Sequence, residues 1–188
     1  MLEIIDTHCH IDNVKFTTDR QKILNHCQQL GINRIITPAV NRSGWDYLLT
    51  LCDSTKGLYP ALGLHPMFCN DHSHNDINKL DTYLDKHKVI AIGEIGLDYY
   101  IKDCDKADQT FYFEKQLSLA EKFQLPVILH VRKAHDPVIQ ILRDFNLHGG
   151  IVHAFNGSKE QAEQYIKLGF KLGFGGVLTY PQSTRIRR

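Results

Sequence analysis

Eleven histidines occur among 188 residues, and the placement of several suggests chemistry. His8 and His10 lie in D-T-H-C-H near the start. Residues two apart in an extended chain project to the same side, so both imidazoles can face one ion while Cys9 turns away. An isolated H-x-H reads better as two hydrogen-bonded loop histidines. The metal reading gains weight from Glu94 in A-I-G-E-I-G-L-D, His130 in P-V-I-L-H and His153 in G-I-V-H. A carboxylate has two oxygens and can bridge two ions, which one imidazole nitrogen cannot do. Gly93 and Gly96 on either side of Glu94 let the backbone turn sharply. Together the set is an almost complete site for two divalent metal ions. Nitrogen and carboxylate donors suit zinc, manganese, iron, nickel and magnesium to differing degrees. Two ions sharing a carboxylate lie about 3.5–4 Å apart in phosphatases and nucleases, where they acidify a water and stabilise charge on a phosphoryl or carbonyl oxygen.

These residues fall at the ends of short apolar runs. Strands are predicted at 3–6, 32–37, 59–64, 89–94, 127–130, 150–153 and 171–174. Between them, apolar residues at helical spacing predict helices over 18–30, 45–52, 77–87 and 109–123. The next helix is expected to open on an Asp136 cap with Pro137 in its first turn. The one after it opens on a capping box of Ser158 and Gln161 and stops at Gly169. Strict alternation of strand and helix implies parallel strands covered by helices. A doubly wound sheet and a closed barrel both satisfy that, and seven strands favour the barrel. The expected fold is therefore α/β, a (β/α)8 TIM barrel that is incomplete, with about seven strands present. Complete barrels have eight strands and typically ~250 residues. Residues 1–188 are accordingly expected to form a single metal-dependent hydrolase domain lacking its C-terminal βα portion. Barrel active sites lie at the C-terminal ends of the strands. His8 and His10 follow strand one, His65 lies near the end of strand three, and Glu94, His130 and His153 end strands four, five and six. Strand two, ending near Pro38, contributes no such group.

Composition narrows the field less. With 22 basic and 21 acidic residues, the formal charge is +1, which argues neither for nor against a polyanionic partner. Cysteines at 9, 27, 52, 69 and 104 are odd in number and form no C-x-x-C. That argues against a disulfide framework and against a cysteine zinc site. The opening M-L-E-I-I-D-T-H-C-H has no signal-peptide pattern, and no apolar run is long enough to span a membrane, so a cytoplasmic setting without a membrane partner is expected. Neither a P-loop nor G-x-G-x-x-G is present, and the sequence leaves the oligomeric state open.

Taken in order, D-T-H-C-H-I-D, A-L-G-L-H-P, I-G-E-I-G-L-D, P-V-I-L-H-V-R, V-H-A-F-N-G-S and G-G-V-L-T-Y-P resemble the TatD-family metal-dependent deoxyribonucleases, a branch of the amidohydrolase-like barrels. The resemblance covers essentially the whole chain. It implies metal ligands at His8, His10, Glu94, His130 and His153, and divalent-metal-dependent hydrolysis of phosphodiester bonds with a metal-activated water. DNA or another phosphodiester is the implied substrate. His65 and Arg132 fit positions that hold substrate phosphate, and with Glu94 they make up the implied catalytic set. The Arg132 guanidinium offers a planar donor fork suited to phosphate, although a surface arginine would look the same. Asp98 fits a partner that orients the site from behind the ligands. Phe155 is expected to pack.

The family also has an aspartate at the end of strand eight, which looks like a ligand of the His8/His10 ion and the base for the water. It is absent here. Two further readings stay open: an amidohydrolase-type C–N or ester hydrolase on the same scaffold, and an inactive truncated remnant. Amidohydrolases of that kind often bridge their ions with a carboxylated lysine, a role Glu94 occupies here. The ending R-I-R-R is expected to belong to a seventh helix.

Overall fold

The computed structural model describes residues 3–183. Seven strands make one sheet in the order β1 to β7, every neighbouring pair parallel. They are β1 (Ile4–Asp6), β2 (Ile32–Pro38), β3 (Leu58–Leu62), β4 (Ala91–Asp98), β5 (Val127–Arg132), β6 (Gly150–Val152) and β7 (Phe170–Leu172). The crossovers carry α1 (Arg20–Gln29), α2 (Trp45–Ser54), α3 (His74–Lys86), α4 (Lys106–Phe123), α5 (His135–Leu142) and α6 (Lys159–Lys167). A doubly wound sheet reverses its strand order at a switch point. This one never reverses, and it curls: the ring of His8, just beyond β1, stacks on that of His153, just beyond β6. The expected barrel architecture is what the chain adopts, with seven strands among the described residues.

Packing follows the strand period of two. Leu62, Ile92 and Leu129 pack into the main core with Trp45 and Phe113, while their neighbours Ala61, Ala91 and Ile128 form a second, small cluster. Strand β4, in the middle of the sheet, is buried along its whole length, as expected for a parallel strand covered on both faces. Among the described residues no helix is long and apolar enough to cross a membrane.

Several expectations need correcting. Strand β4 continues past Glu94 to Asp98, so Glu94 lies within the strand instead of ending it. Helix α3 starts at His74, three residues early, because a capping box of Ser73 and Asp76 holds its polar first turn. Helix α5 starts at His135 with Ala134 as its N-cap; Asp136 sits inside the first turn, and its Oδ1 accepts 2.7 Å from Gln161 Nε2. The Ser158–Gln161 box opens α6 as expected. Cys69 and Cys104 form a disulfide, their Cα atoms 6.2 Å apart. Their separation of 35 residues hid the pair, since only the fold brings the segment after β3 against the segment after β4. The R-I-R-R ending lies outside the described residues.

Candidate metal centre

The site is built around one carboxylate. Glu94 is 1% exposed. Its Oε2 lies 3.1 Å from His8 Nε2 and 3.2 Å from His10 Nε2. Its Oε1 lies 3.0 Å from His130 Nδ1 and 3.3 Å from His65 Nε2. The local backbone explains the aim. The β4–β5 register shifts between Ile92 and Ile95, an irregularity of the kind that re-aims a strand side chain. Gly96 takes φ 140°, and a Cβ there would collide with the carbonyl oxygen of His130. The close approach of β4 and β5 at the site therefore requires glycine at 96.

The imidazoles come from four strands: His8 and His10 follow β1, His65 follows β3, His130 lies within β5, which runs on to Arg132 instead of ending at His130 as expected, and His153 follows β6. The Nε2 atoms of His8 and His10 are 3.1 Å apart, and Cys9 packs against the core as its turned-away position predicts. His65 caps the 3-10 turn Pro66–Asp71, its Nδ1 accepting from the Met67 amide at 3.0 Å. That bond leaves Nε2 for Glu94. His130 is held from both sides, Nδ1 by Glu94 and Nε2 by Asp98 Oδ2 at 3.0 Å. His153 stands outside both groups and stacks on His8 with centroids 3.4 Å apart.

Protonation follows from these contacts. Burial alone would raise the Glu94 carboxyl, but the four imidazoles outweigh it and hold it well below the usual range. Burial would lower His130, yet the Asp98 and Glu94 carboxylates lift it to about 9. Burial, opposed by Glu94, lowers His65. Burial and the neighbouring His8 push His153 down to about 4. The metal-free centre thus mixes charged and neutral imidazoles around one permanent anion.

Do these residues fit metal ions? Donors at the corners of a tetrahedron around zinc at about 2.0–2.1 Å lie about 3.3–3.4 Å from one another. The His8, His10 and Glu94 donor atoms are 3.1–3.2 Å apart, close to that spacing. His65, Glu94 and His130 form a second such group, and in each group the donor atoms lie within 4.8 Å of one another. His8 Nδ1 is buried and unbonded among the described residues. Two histidine pairs converging on opposite oxygens of one buried carboxylate suit cations on both sides of it. Sequence reasoning assigned His65 to substrate phosphate and His153 to a metal; the structure places His65 with the Glu94 donors and His153 against His8.

Two supporting residues escaped the sequence reading. Gln109 and Gln116 lie seven apart on the buried face of α4. Gln109 accepts from the Asp98 amide at 2.7 Å and donates to the Asp98 carbonyl at 3.0 Å. Gln116 does the same for Leu64, at 2.7 and 3.2 Å, and so fixes the backbone just before His65. The available signal was two amides at helical spacing on an otherwise apolar face. Arg132, at the end of β5, is exposed and lies over the Tyr100 ring. Phe155 is buried against His135, Tyr165 and Phe174, where it packs.

Known proteins resemble this chain in sequence and in fold. A family profile described as TatD related DNase matches residues 5–188. An Escherichia coli protein described as the uncharacterized metal-dependent hydrolase YjjV is 40% identical over 186 residues, which are 97% of this chain and 72% of that protein. The Bacillus subtilis protein YabD, described in the same words, is 31% identical over 97% of this chain and 72% of its own length. The crystal structure of E. coli YjjV, a TatD homologue, superposes with a TM-score of 0.93 at 40% identity, covering 98% of this chain and 72% of that one. A TatD-family hydrolase from Entamoeba histolytica shares the fold at 23% identity, with a TM-score of 0.80 over 92% of this chain and 64% of that one. With a family profile over nearly its full length and a buried carboxylate ringed by histidines, this chain belongs to the TatD-related DNase family of metal-dependent hydrolases.

Proposed function

We propose that the chain is a deoxyribonuclease that hydrolyses phosphodiester bonds at a centre holding two divalent cations. The observation that carries this reading is the division of Glu94 between two histidine pairs, His8 and His10 on Oε2, His65 and His130 on Oε1. His153, held neutral beside His8, adds a nitrogen donor on that side. Cations of the zinc, manganese, magnesium, nickel or iron type suit this donor set. When bound, such a pair supplies Lewis acidity, acidifying a water and stabilising charge on the phosphoryl oxygens.

The chain's own residues do the rest. Asp98 accepts Nε2–H of His130, which fixes the ring and leaves Nδ1 turned to the centre. Gln109 and Gln116 fix the backbone behind Asp98 and His65. Arg132 presents a donor fork at the mouth, where it can bind two oxygens of one phosphate and orient the scissile group. DNA as substrate rests on that cation and on the family description.

The test is direct. Metal-stripped protein, reloaded with each cation in turn, is assayed on labelled DNA, on bis(4-nitrophenyl) phosphate, and on carboxylic ester and amide substrates. Metal-dependent cleavage of both phosphodiesters supports the reading. Cleavage confined to the carboxylic ester or amide would overturn it in favour of the amidohydrolase alternative.

A further inference from the structure

The ring of Tyr100 stands 51% exposed beside the site, in the segment that follows β4. The Arg132 guanidinium lies over it, Cζ 3.7 Å from the ring centroid, and Lys133 Nζ lies 4.8 Å from the same centroid. Consecutive residues of a strand point to opposite faces, so two neighbouring cations do not ordinarily share one ring. Here Lys133 takes φ 54°, a left-handed conformation uncommon for a residue with a side chain, and the turn at the end of β5 brings both cations to the ring.

The ring is also tied to the centre. The Tyr100 amide donates 2.9 Å to Asp98 Oδ1, the same carboxylate whose other oxygen holds His130. The Tyr99 amide donates 2.9 Å to the Arg132 carbonyl. Among the described residues no carboxylate oxygen lies within 4.0 Å of the Arg132 or Lys133 nitrogens; at longer range Arg132 helps hold the Asp98 carboxyl ionised. Beyond Lys133 a cleft of about 290 Å³ continues past His135, Asn156 and Gln161. Its one acidic residue, Asp136, is engaged by Gln161.

We propose that Tyr100 is a positioning residue whose ring gathers Arg132 and Lys133 into a cradle for successive phosphates of a nucleic-acid strand. The inference rests on the phosphodiesterase reading and names what that site prefers: a strand with several phosphates over an isolated phosphodiester. Cation–π attraction holds each charge over the ring without neutralising it. A strand running outward from the site would meet Arg132 and then Lys133 before following the cleft.

The experiment compares the metal-loaded wild type with Tyr100→Phe, Tyr100→Leu and Tyr100→Ala. Steady-state kinetics are measured on a single-stranded oligonucleotide at several salt concentrations, with bis(4-nitrophenyl) phosphate assayed on the wild type. Tyr100→Leu and Tyr100→Ala should raise the oligonucleotide KM about 5- to 10-fold, with a much smaller effect on kcat. They should also flatten the salt dependence by about 0.7 in log–log slope for each cation released. Tyr100→Phe keeps the π face and should retain the wild-type KM and slope. A merely structural tyrosine would not move the salt slope, and Tyr100→Leu preserves apolar packing if the alanine variant is poorly folded. Unchanged KM and slope in folded Tyr100→Leu, with a wild type active on both phosphodiesters, would overturn this inference alone. A wild type inactive on both would overturn the phosphodiesterase reading, and this inference with it.

Discussion

The imidazole of His153 lies almost parallel to that of His8, 11° between planes and 3.4 Å between centroids, joining the segments that follow β6 and β1. Burial first, and the neighbouring His8 second, push the His153 imidazole down to about 4. Its folded value lies below the ordinary histidine value. The stability gained by keeping it neutral is therefore whole above about pH 6.5 and is lost as pH falls towards 4. A pH titration of the metal-free protein by histidine NMR should show His153 neutral until about pH 4. A midpoint near 6.5 would mean that His153 is not held buried beside His8 in solution.

His130 shifts the other way, and that links metal binding to protons. Its folded value of about 9 means that at pH 7.5 the metal-free protein carries a proton on this ring. The associated stability is full below about pH 6.5 and fades as pH rises through 9. A cation taking Nδ1 must displace that proton. Calorimetric metal titrations in buffers of different ionisation enthalpy should report about one proton released per chain from His130 at pH 7.5. Asp98→Asn removes a carboxylate that raises this value, and should reduce both the proton release and the metal affinity, the latter by about 10- to 100-fold. Equal proton release in wild type and Asp98→Asn would rule out this coupling.

Glu94 is the shared element, so its loss should be felt on both sides. Glu94→Ala removes the acceptor of four imidazoles and should abolish binding in both donor groups, read as metal content after dialysis. Arg132→Ala should leave metal content intact and raise KM for phosphate-containing substrates. A Glu94→Ala protein with its full metal complement would remove the bridging assignment.

Much of this centre was legible in the sequence because it depends on local spacing and strand order. His8 and His10 share a side because they are two apart, and His130 and His153 close apolar runs that pair as adjacent strands. What spacing could not give was contact. The continuation of β4 to Asp98 puts Glu94 and Asp98 on one strand with His130 held between them. No local pattern forecasts that, because a register irregularity aims Glu94. The same holds for His65, whose place against Glu94 depends on a 3-10 turn capped by its own ring. The Cys69–Cys104 pair likewise depends on tertiary proximity.

The two buried glutamines of α4 allow the sharpest separation of stability from chemistry. Gln116 is 0% exposed and satisfies both the amide and the carbonyl of Leu64, one residue before His65. Gln116→Leu leaves those two backbone groups buried without partners, at a cost of about 1–3 kcal/mol for each group that finds no water. Gln109→Leu should cost a similar amount through Asp98. The functional consequences should differ. Gln109 acts on the carboxylate that orients His130, so Gln109→Leu should weaken metal binding together with stability. Gln116→Leu acts through His65 and should disturb the other end of the same donor group. Denaturant unfolding of the metal-free proteins gives the first quantity, and metal titration at a temperature where both variants are folded gives the second. Wild-type metal affinity in both destabilised variants would show that α4 supports the barrel without positioning the site.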